Sequence, residues 1–301
     1  MPGAQSSKVI MADTISIVLP ARNEASSLRI LLPRLLELMP AAEIIVVDDA
    51  SEDDTQAVCA EFPIKVISHP YPKGNGAAVK SGARAAHGDA LIFMDADGQH
   101  KPEDIPALLE KFAAGYDMVV GARQSGSHAG AHRAVANDLF SRFATWMVQQ
   151  PVEDLTSGFR MVKTNKFRKF LYLLPNGFSY PTTITMSFFR AGFSVAYLPI
   201  NTPRRATGKS HIRPVRDGVR FMLIIIKIGT LYSPQKLFLP ISAGFFLTGV
   251  GYYLYTYLSV GRFTNMSALL FISAIFTFLI GIVSEQISGL HYKGNDDERP
   301  D

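Results

Sequence analysis

Short apolar segments alternate with segments of helical spacing over roughly the first two thirds of the chain. Strands are predicted at 15–20, 43–51, 64–70, 90–97 and 116–123, and helices at 25–39, 53–62, 76–88 and 102–115. Strands that alternate with helices are typical of α/β domains whose parallel sheet carries helices on both faces. The pattern therefore predicts an α/β domain with such a sheet.

Acidic side chains follow the second and the fourth predicted strand. Asp48 and Asp49 lie in EIIVVDDAS, and Asp95 and Asp97 lie in FMDADGQH. In an open α/β sheet, ligands bind outside the carboxyl ends of the strands. We therefore expect these carboxylates to border one ligand site, although Asp48 and Asp49 also suit a helix cap.

The acidic strand ends fit a hard divalent cation better than the other common cofactor sites. The segment KGNGAAVKSG lacks the third glycine of a dinucleotide-binding turn, and neither a P-loop nor a zinc-binding motif occurs in the sequence. Mg²⁺ and Mn²⁺ take few carboxylates and complete their shells with water and phosphate oxygens. The pattern therefore indicates a nucleoside diphosphate as the substrate class.

The last third of the chain has long stretches without charge. Segment 212–233 mixes arginine and lysine with an apolar face, which predicts an amphipathic helix in the membrane interface. No charged residue occurs from Leu237 to Gly261, nor between Arg262 and Glu285. Each stretch exceeds the roughly 20 residues that cross the hydrocarbon core of a bilayer. Two membrane-spanning helices are therefore predicted.

These patterns divide the chain into four predicted regions. They are a catalytic domain at 1–211, an interfacial helix at 212–233, a transmembrane hairpin at 234–290 and a tail at 291–301. The basic residues before the first span favour a cytoplasmic catalytic domain, and the N-terminus does not resemble a signal peptide. We expect an integral, two-pass membrane protein, which would lie in the plasma membrane if its source is a bacterium or an archaeon.

Composition limits the partners. The net charge of +4 suits a membrane surface or a phosphorylated ligand, but it is too small to indicate nucleic acid. The single cysteine, Cys59, excludes an intramolecular disulfide and fits a reducing compartment. The sequence leaves open whether the protein forms a homo-oligomer.

Six motifs in order resemble the family 2 glycosyltransferases of GT-A fold. They are IVLPARNE, VVDDASEDDT, KGNGAA, MDADGQHKPEDI, DLTSGFR and RRATGKS. Over residues 15–211 the chain is most similar to polyprenyl-phosphate glycosyltransferases of the dolichol-phosphate mannose synthase type, and its tail resembles that of members acting on undecaprenyl phosphate. The resemblance implies inverting hexose transfer from a UDP- or GDP-linked sugar to a polyprenyl phosphate, which then serves as a glycosyl donor.

The resemblance also implies residues for the nucleotide sugar. They are Pro20, Arg22, Asn23, Glu24, Asp49, Gly74, Gly76, Asp95, Arg205 and Ser210. Asp49 is expected to read the base edge, and the two glycines to let the backbone approach the nucleotide. Arg205 and Ser210 belong to a loop that closes over the donor phosphates.

The same resemblance implies a divalent metal ion, Mg²⁺ or Mn²⁺, and a set of reacting residues. The metal ligands are expected to be Asp95, Asp97 and Gln99. Asp154 lies where the family has a loop residue near the sugar, although a helix cap is the alternative for it. The expected catalytic residues are Asp97, Arg123, Arg133 and Asp154.

The acceptor phosphate is expected to contact Arg123, Arg133 and Asn137. The family often has serine at the third of these positions, and it often has lysine where His211 follows RRATGKS. His128 and His132, in the segment SGSHAGAHR, are candidates for binding phosphate, and a mobile surface loop is the alternative for this segment. Arg160 fits a structural role, in which it pairs with a carboxylate, as well as a functional role.

Three other functions fit the sequence less well. A processive polysaccharide synthase would show a Q-x-x-R-W motif, which is absent around the only tryptophan, Trp146. A catalytically silent membrane scaffold would not need the acidic run at 95–97. A transporter would need more than two spans, unless the protein oligomerises.

Overall fold

The computed structural model describes residues 14–123, 141–177, 179–201, 226, 229–230 and 232–293. These residues form two compact units, which we describe separately. The first unit contains the described residues up to 201 apart from 147–149. The second unit contains 147–149 and the described residues from 226 onward.

One sheet of seven strands forms the centre of the described part of the first unit. The strands are β1 (Ile15–Ala21), β2 (Glu43–Asp48), β3 (Lys65–Ser68), β4 (Ala90–Phe93), β5 (Met118–Arg123), β6 (Arg160–Lys163) and β7 (Val195–Ile200). The helices are α1 (Ala25–Leu38), α2 (Thr55–Ala60), α3 (Asn75–Ala85), α4 (Ile105–Ala113), α5 (Thr164–Arg168) and α6 (Tyr180–Arg190). A 3₁₀ turn at Pro102–Asp104 precedes α4, and residues 141–148 are also helical.

The strand order is β3-β2-β1-β4-β6-β5-β7. Neighbouring strands run parallel except at β6, which is antiparallel to both β4 and β5. The prediction of an all-parallel sheet is therefore wrong at this strand. The chain enters β6 at the same edge of the sheet at which it leaves β5, so β6 runs in the opposite direction. The hydrophobic pattern predicts neither β6 nor β7.

Helices cover both faces of the sheet, as predicted. On one face, Ile17 and Leu19 of β1 share a buried core with the leucines of α1 and with Phe112 of α4. Burying one such side chain contributes about 1.5–3 kcal/mol. On the other face, α3 approaches β1 so closely that a Cβ on Gly82 would lie 2.3 Å from a methyl carbon of Val18. The α/β class is confirmed.

The predicted helices are observed with shifted ends. The helix predicted at 25–39 is α1, which continues through Pro33. The end predicted at Gly88 is wrong, because α3 ends at Ala85 and Ala86 is already extended. Gly88 instead allows a close contact, since a Cβ there would lie 2.6 Å from the backbone nitrogen of Ser16.

The second unit is an antiparallel helical hairpin of α7 (Pro234–Val260) and α8 (Asn265–Lys293). Small residues let the two helices approach: Ser242 donates a hydrogen bond to the carbonyl oxygen of Ala274 at 2.8 Å, and Gly249 lies against Phe271. α7 ends at Gly261, whose φ of 68° is left-handed.

Both helices of the hairpin are long and apolar enough to cross a membrane. Their outward side chains are large and apolar, as at Leu258, which is 82% exposed. The two predicted spans fall on these helices. Most of the predicted interfacial helix, and the tail from residue 294, lie outside the described residues.

Candidate active site

A cavity of about 280 Å³ opens at the carboxyl ends of β1, β2 and β4. Its lining includes Arg22 after β1, Asp49 after β2, and Asp95 and Asp97 after β4. This is the edge at which open α/β sheets bind ligands, because the chain turns away from neighbouring strands there and leaves a crevice. The structure thus brings both acidic strand ends to one cavity.

Asp95 and Asp97, here called the exposed pair, are only partly buried. The Asp95 side chain is 32% exposed. A Cβ on Gly158 would lie 2.6 Å from Oδ2 of Asp95, so only glycine there leaves room for this carboxylate. Oδ1 of Asp97 accepts the backbone N–H of Gln99 at 3.1 Å, across a turn in which Gly98 has a φ of 73°. The exposed pair therefore faces the cavity from a tight turn.

The exposed pair fits a divalent metal ion that is shared with a phosphorylated ligand. Within the described part of the chain, no group of three or more His, Cys, Asp or Glu side chains is arranged to hold a metal ion. Two carboxylates beside an open cavity are typical of Mg²⁺ and Mn²⁺ sites, which take further ligands from phosphate and water. The side chain predicted as a third ligand, Gln99, does not line the cavity, and its role as a ligand stays a prediction.

His100 supports the exposed pair from below. Its ring is buried and stacks on Phe159, with the ring centroids 5.3 Å apart. Burial lowers the pKa of His100. The neutral ring can then accept the backbone N–H of Asp95 at Nδ1, where the distance is 3.3 Å. His100 thus fixes the backbone that carries Asp95.

Asp49 is buried, and its carboxylate accepts three hydrogen bonds of 2.7 Å. The donors are Nδ1 of His69 and the backbone N–H groups of Lys73 and Gly74. Burial by itself raises the pKa of Asp49, but these hydrogen bonds outweigh it and the pKa is lowered. Asp49 therefore holds the loop before α3 against the end of β2.

Residues at the end of β1 and in the turn after it have two kinds of surroundings: some line the cavity, and one contacts a neighbouring loop. Pro20, Arg22 and Glu24 line the cavity. Asn23 has a left-handed φ of 57°, and its side-chain oxygen accepts the backbone N–H of Glu52 at 2.8 Å. Asn23 therefore joins two loops, and the nucleotide contact predicted for it stays a prediction.

The two glycines of the KGNGAA motif have different surroundings. Gly74 lines the cavity and has a φ of 100°, which other residues rarely adopt. Gly76 does not line the cavity, and a Cβ there would lie 2.1 Å from the carbonyl oxygen of Pro175. The structure therefore accounts for Gly76 by close packing against the segment before α6.

Arg123 and Asp154 form a bidentate ion pair beside the cavity. Nε and Nη2 of Arg123 donate to the two oxygens of Asp154 at 2.8 and 3.1 Å, and Nη2 also contacts Thr156, which lines the cavity. Asp154 is 1% exposed. Burial opposes ionisation, but Arg123 and the backbone N–H of Thr156 lower the pKa of Asp154.

This environment changes the prediction for Asp154. Its carboxylate is committed to Arg123 and to the turn that follows, and it does not line the cavity. Direct contact with a sugar is therefore not favoured, and neither is the helix cap considered as the alternative. Asp154 and Asp49 are here called the buried pair.

Arg160, the first residue of β6, is fully buried beneath the opposite wall of the cavity. Its Nη1 donates to the carbonyl oxygen of Pro181 and to Thr185 Oγ1, both at 3.1 Å, and its Nη2 contacts the carbonyl oxygen of Ser157. No ion pair joins Arg160 to a carboxylate among the described residues. Arg160 thus ties the start of α6 to the loop that carries Gly158, rather than forming the predicted ion pair.

Four predicted site residues lie outside the part of the chain that the structure describes. They are Arg133, Asn137, Arg205 and Ser210. His128, His132 and His211 also fall there. Their assignments stay predictions.

Sequence reasoning missed the wall opposite the acidic strand ends. Thr156, Gly158, Tyr180 and Pro181 all line the cavity. The motif DLTSGFR contains the first two, so attention to its glycine would have found that side. Tyr180 and Pro181 begin a helix, and nothing in the hydrophobic pattern distinguishes this helix start from others.

Solved structures share the fold of the first unit. Glucosyl-3-phosphoglycerate synthase of Mycobacterium tuberculosis aligns with a TM-score of 0.56 and 22% identity, over 71% of this chain and 79% of that protein. That enzyme has also been crystallised with Mn²⁺ and UDP-glucose. At this identity the likeness supports the GT-A fold alone.

Sequence relatives are named for sugar transfer to lipid phosphates. A polyprenol monophosphomannose synthase of Mycolicibacterium smegmatis is 27% identical, over 64% of this chain and 79% of that protein. An undecaprenyl-phosphate mannosyltransferase of Micrococcus luteus is 31% identical, over 64% of this chain and 85% of that protein. A dolichol-phosphate mannosyltransferase of Pyrococcus furiosus is 39% identical, but the match covers 36% of this chain and only 33% of that protein.

Two family models match separate parts of the chain. The model described as GtrB C-terminal hairpin matches residues 233–290, which contain α7 and most of α8. The model described as Glycosyl transferase family 2 matches residues 16–171, which contain both acidic strand ends and the loop at 154–158. The chain belongs to glycosyl transferase family 2.

Proposed function

We propose that this protein transfers a hexose from a nucleoside diphosphate sugar to a polyprenyl phosphate at the membrane surface. The observation that carries the proposal is the exposed pair, Asp95 and Asp97, which lines a cavity at the carboxyl ends of the strands. The names of the sequence relatives support a lipid phosphate as the acceptor. In this proposal the apolar hairpin anchors the protein in the bilayer that contains the lipid acceptor.

The donor side of the site follows from the cavity lining. Asp49 presents a carboxylate whose pKa is lowered, so it is an acceptor at neutral pH. An acceptor at this point suits a ring N–H, which uracil and guanine have on the corresponding edge and cytosine and adenine lack. Arg22 is exposed at the cavity and adds positive charge for the phosphates. This arrangement is compatible with the predicted UDP- or GDP-linked donor.

The exposed pair would hold Mg²⁺ or Mn²⁺ against the donor diphosphate. When bound, the ion supplies positive charge that neutralises the leaving diphosphate. Gly158 leaves space for Asp95, and the turn at 97–99 directs Asp97 toward the cavity. These residues thus orient the diphosphate.

The acceptor needs positive charge more than it needs a base. A phosphate monoester has a second pKa near 6, so the acceptor is largely dianionic at neutral pH. Two unit charges of the same sign 4 Å apart repel by about 4 kcal/mol at an effective dielectric constant of 20. Arg123 is 39% exposed in its side chain and is held by Asp154, so it can present its guanidinium to the acceptor. Arg133 and Asn137 complete this proposed subsite.

The reaction then proceeds by one displacement. An oxygen of the acceptor phosphate attacks the anomeric carbon, and the bond from that carbon to the diphosphate oxygen breaks. The electron pair of that bond leaves with the nucleoside diphosphate. Attack from the opposite face inverts the configuration, so an α-linked donor gives a β-linked lipid product. The burial of Asp154 agrees with a mechanism in which no carboxylate removes a proton.

Mannose is the sugar that we would test first. The relatives in sequence are named as mannosyl enzymes, whereas the relative in structure was crystallised with UDP-glucose. The sequence relatives are named for transfer to lipid phosphates, which is the acceptor class proposed here.

The experiment uses purified full-length protein in detergent with undecaprenyl phosphate and Mg²⁺ or Mn²⁺. Radiolabelled UDP- and GDP-sugars are supplied one at a time, and label in the organic phase is counted. We expect label from one donor, and none when the ion is chelated. Binding of a nucleotide sugar without lipid label from any donor would contradict the proposal and favour another acceptor or a silent scaffold.

A further inference from the structure

We propose that His69 is a positioning residue for the nucleotide site, and that Ser81 and His69 together fix the carboxylate of Asp49. The inference rests on the proposed function, because it assumes that the cavity binds a nucleoside diphosphate. It concerns residues that do not line the cavity themselves, since neither His69 nor Ser81 does so. Neither residue stands out in the sequence pattern.

A chain of two hydrogen bonds joins three elements of the first unit. Oδ1 of Asp49, after β2, lies 2.7 Å from Nδ1 of His69, after β3. Nε2 of the same ring lies 2.9 Å from Oγ of Ser81, on α3. The His69 side chain is 4% exposed and that of Asp49 is 7% exposed. Water therefore competes little for these hydrogen bonds.

The chemistry of the carboxylate sets the direction of its hydrogen bond with His69. An ionised carboxylate only accepts, so Nδ1 of His69 must donate to Asp49. The hydroxyl of Ser81 can either donate to Nε2 or accept from an N–H there, so its bond to the ring holds the imidazole plane in either case. Ser81 thus supports the ring orientation in which Nδ1 points at Asp49. The hydroxyl of Ser81 does not line the cavity, so direct contact with a ligand does not account for it.

The position of Asp49 depends on the hydrogen bond from His69. Oδ1 accepts from His69 and from the backbone N–H of Lys73, which occupies both of its lone pairs. Oδ2 accepts from the backbone N–H of Gly74, which leaves one lone pair for a ligand. Without the bond from His69, the carboxylate can rotate, and both its remaining lone pair and the loop at 73–74 lose their fixed direction. His69 therefore acts on nucleotide affinity through Asp49.

An Asp–His–Ser chain also occurs in hydrolases, but this one does not suit nucleophilic catalysis. Ser81 lies on the far side of the histidine from the cavity, and it does not line that cavity. The carboxylate, not the hydroxyl, is the member that reaches the ligand site. The same three residue types are therefore used here to orient an acceptor.

The test compares full-length variants in detergent by the dissociation constants of UDP and GDP in the presence of Mn²⁺. His69→Asn keeps an N–H near the position of Nδ1, whereas His69→Gln places its amide near Nε2 and His69→Leu has no donor. We expect His69→Leu and His69→Gln to weaken binding of the preferred nucleotide by about tenfold or more. His69→Asn should stay within about threefold of wild type, and Ser81→Ala should fall between the two.

A matched control is available in His87, which lies 2.9 Å from Glu43 but is 81% exposed and does not line the cavity. His87→Leu should leave nucleotide affinity unchanged. A purely structural role for His69 would lower the melting temperature and the active fraction of all its variants without separating Asn from Gln. Equal affinities of His69→Asn and His69→Gln would therefore overturn the inference.

The design separates this inference from the proposed function. If wild type binds neither UDP nor GDP, the proposed function fails. If wild type binds one of them and His69→Gln binds it equally well, only the role of His69 fails. Should His69→Leu not fold, the comparison of Asn with Gln still decides, because both are polar and the ring is replaced in each.

Discussion

The buried pair and the exposed pair are all aspartates in or beside the cavity, yet the structure uses them in different ways. Asp49 and Asp154 are nearly inaccessible and accept hydrogen bonds from backbone N–H groups and from one cationic or imidazole side chain each. Asp95 and Asp97 face the cavity from a turn and are partly exposed. The buried pair holds loops in place around the site, and the exposed pair lines the cavity.

The surroundings of each carboxylate explain the difference. Backbone N–H groups point at each buried carboxylate: that of Gly74, in the loop before α3, points at Asp49, and that of Thr156, in the turn after Asp154, points at Asp154. Such donors compensate for burial and stabilise the ionised form. Beside Asp95, by contrast, lies Gly158, which contributes space. A strand-end aspartate in a sequence therefore has a role that only its neighbouring loop reveals.

The largest effect is expected at the exposed pair. Asp97→Asn should lower hexose transfer by about 10²–10³-fold, because it removes a negative charge needed to hold the ion against the diphosphate. The melting temperature should change little, since Asp97 is partly exposed. The assay is label transfer to lipid, with Glu103→Gln as an exposed acidic control away from the cavity. Unchanged transfer in Asp97→Asn would contradict the role of the exposed pair.

A substitution in the buried pair should mainly lower stability, whereas a substitution in the exposed pair should mainly lower activity. Asp154→Asn should lower the free energy of unfolding by about 1.5–3 kcal/mol, because the guanidinium of Arg123 and three backbone N–H groups lose a charged acceptor. Chemical unfolding followed by circular dichroism measures this change. A stability equal to that of wild type would show that the ion pair of Arg123 and Asp154 is not a structural element.

The pH dependence of stability provides a second comparison. The pKa values of Asp49 and Asp154 are lowered in the folded protein, so their contribution is fully present above the unfolded pKa of about 3.9 and is lost as the pH falls through the folded values. The melting temperature should therefore fall between about pH 5 and pH 3. Asp154→Asn should flatten that slope, and an identical slope in the variant would contradict the assignment.

A smaller effect is expected from the space beside Asp95. Gly158→Ala introduces a Cβ that would lie 2.6 Å from Oδ2 of Asp95, so the carboxylate must move. We expect the Mn²⁺ concentration at half-maximal activity to rise about tenfold, since metal sites tolerate little displacement of their ligands. Gly177→Ala is the control, because a Cβ there meets nothing within 4 Å. Equal half-saturation by Mn²⁺ in both variants would remove the argument from space.

The smallest effect should come from Gln99. Its backbone N–H supports Asp97, and Gln99→Ala keeps that N–H, while the side chain does not line the cavity. Activity should fall less than threefold. A loss of tenfold or more, with a matching change in Mn²⁺ half-saturation, would instead support the ligand role that the family resemblance implies.

The sequence predicted the parts of this architecture that depend on local pattern. Apolar runs located β1 to β5, and the acids after β2 and β4 marked the ligand edge, because the carboxyl ends of parallel strands share that edge. The charge-free stretches located the hairpin. Strand β6, RMVK, was missed because only its two central residues are apolar and its partner strand β4 lies far away in the sequence.

The parts that could not be predicted depend on tertiary contacts. Nothing in VVDDAS indicates that His69, twenty residues later, donates to Asp49, or that Asp154 is closed by Arg123. Gly76 is a similar case, since its packing partner is Pro175. Motifs therefore indicated candidate residues, and only the fold identified which of the described ones face the cavity.

The central claim, that the exposed pair holds the ion and Asp49 holds the nucleoside side, is tested most directly by Mn²⁺ titration. Electron paramagnetic resonance measures free Mn²⁺ in the presence of wild type, Asp97→Asn or Asp49→Asn, each with saturating UDP or GDP. We predict that Asp97→Asn weakens Mn²⁺ binding at least about tenfold, while Asp49→Asn stays within threefold once nucleotide is saturating. Equal loss in both variants, or no loss in Asp97→Asn, would contradict the division of roles between the two pairs.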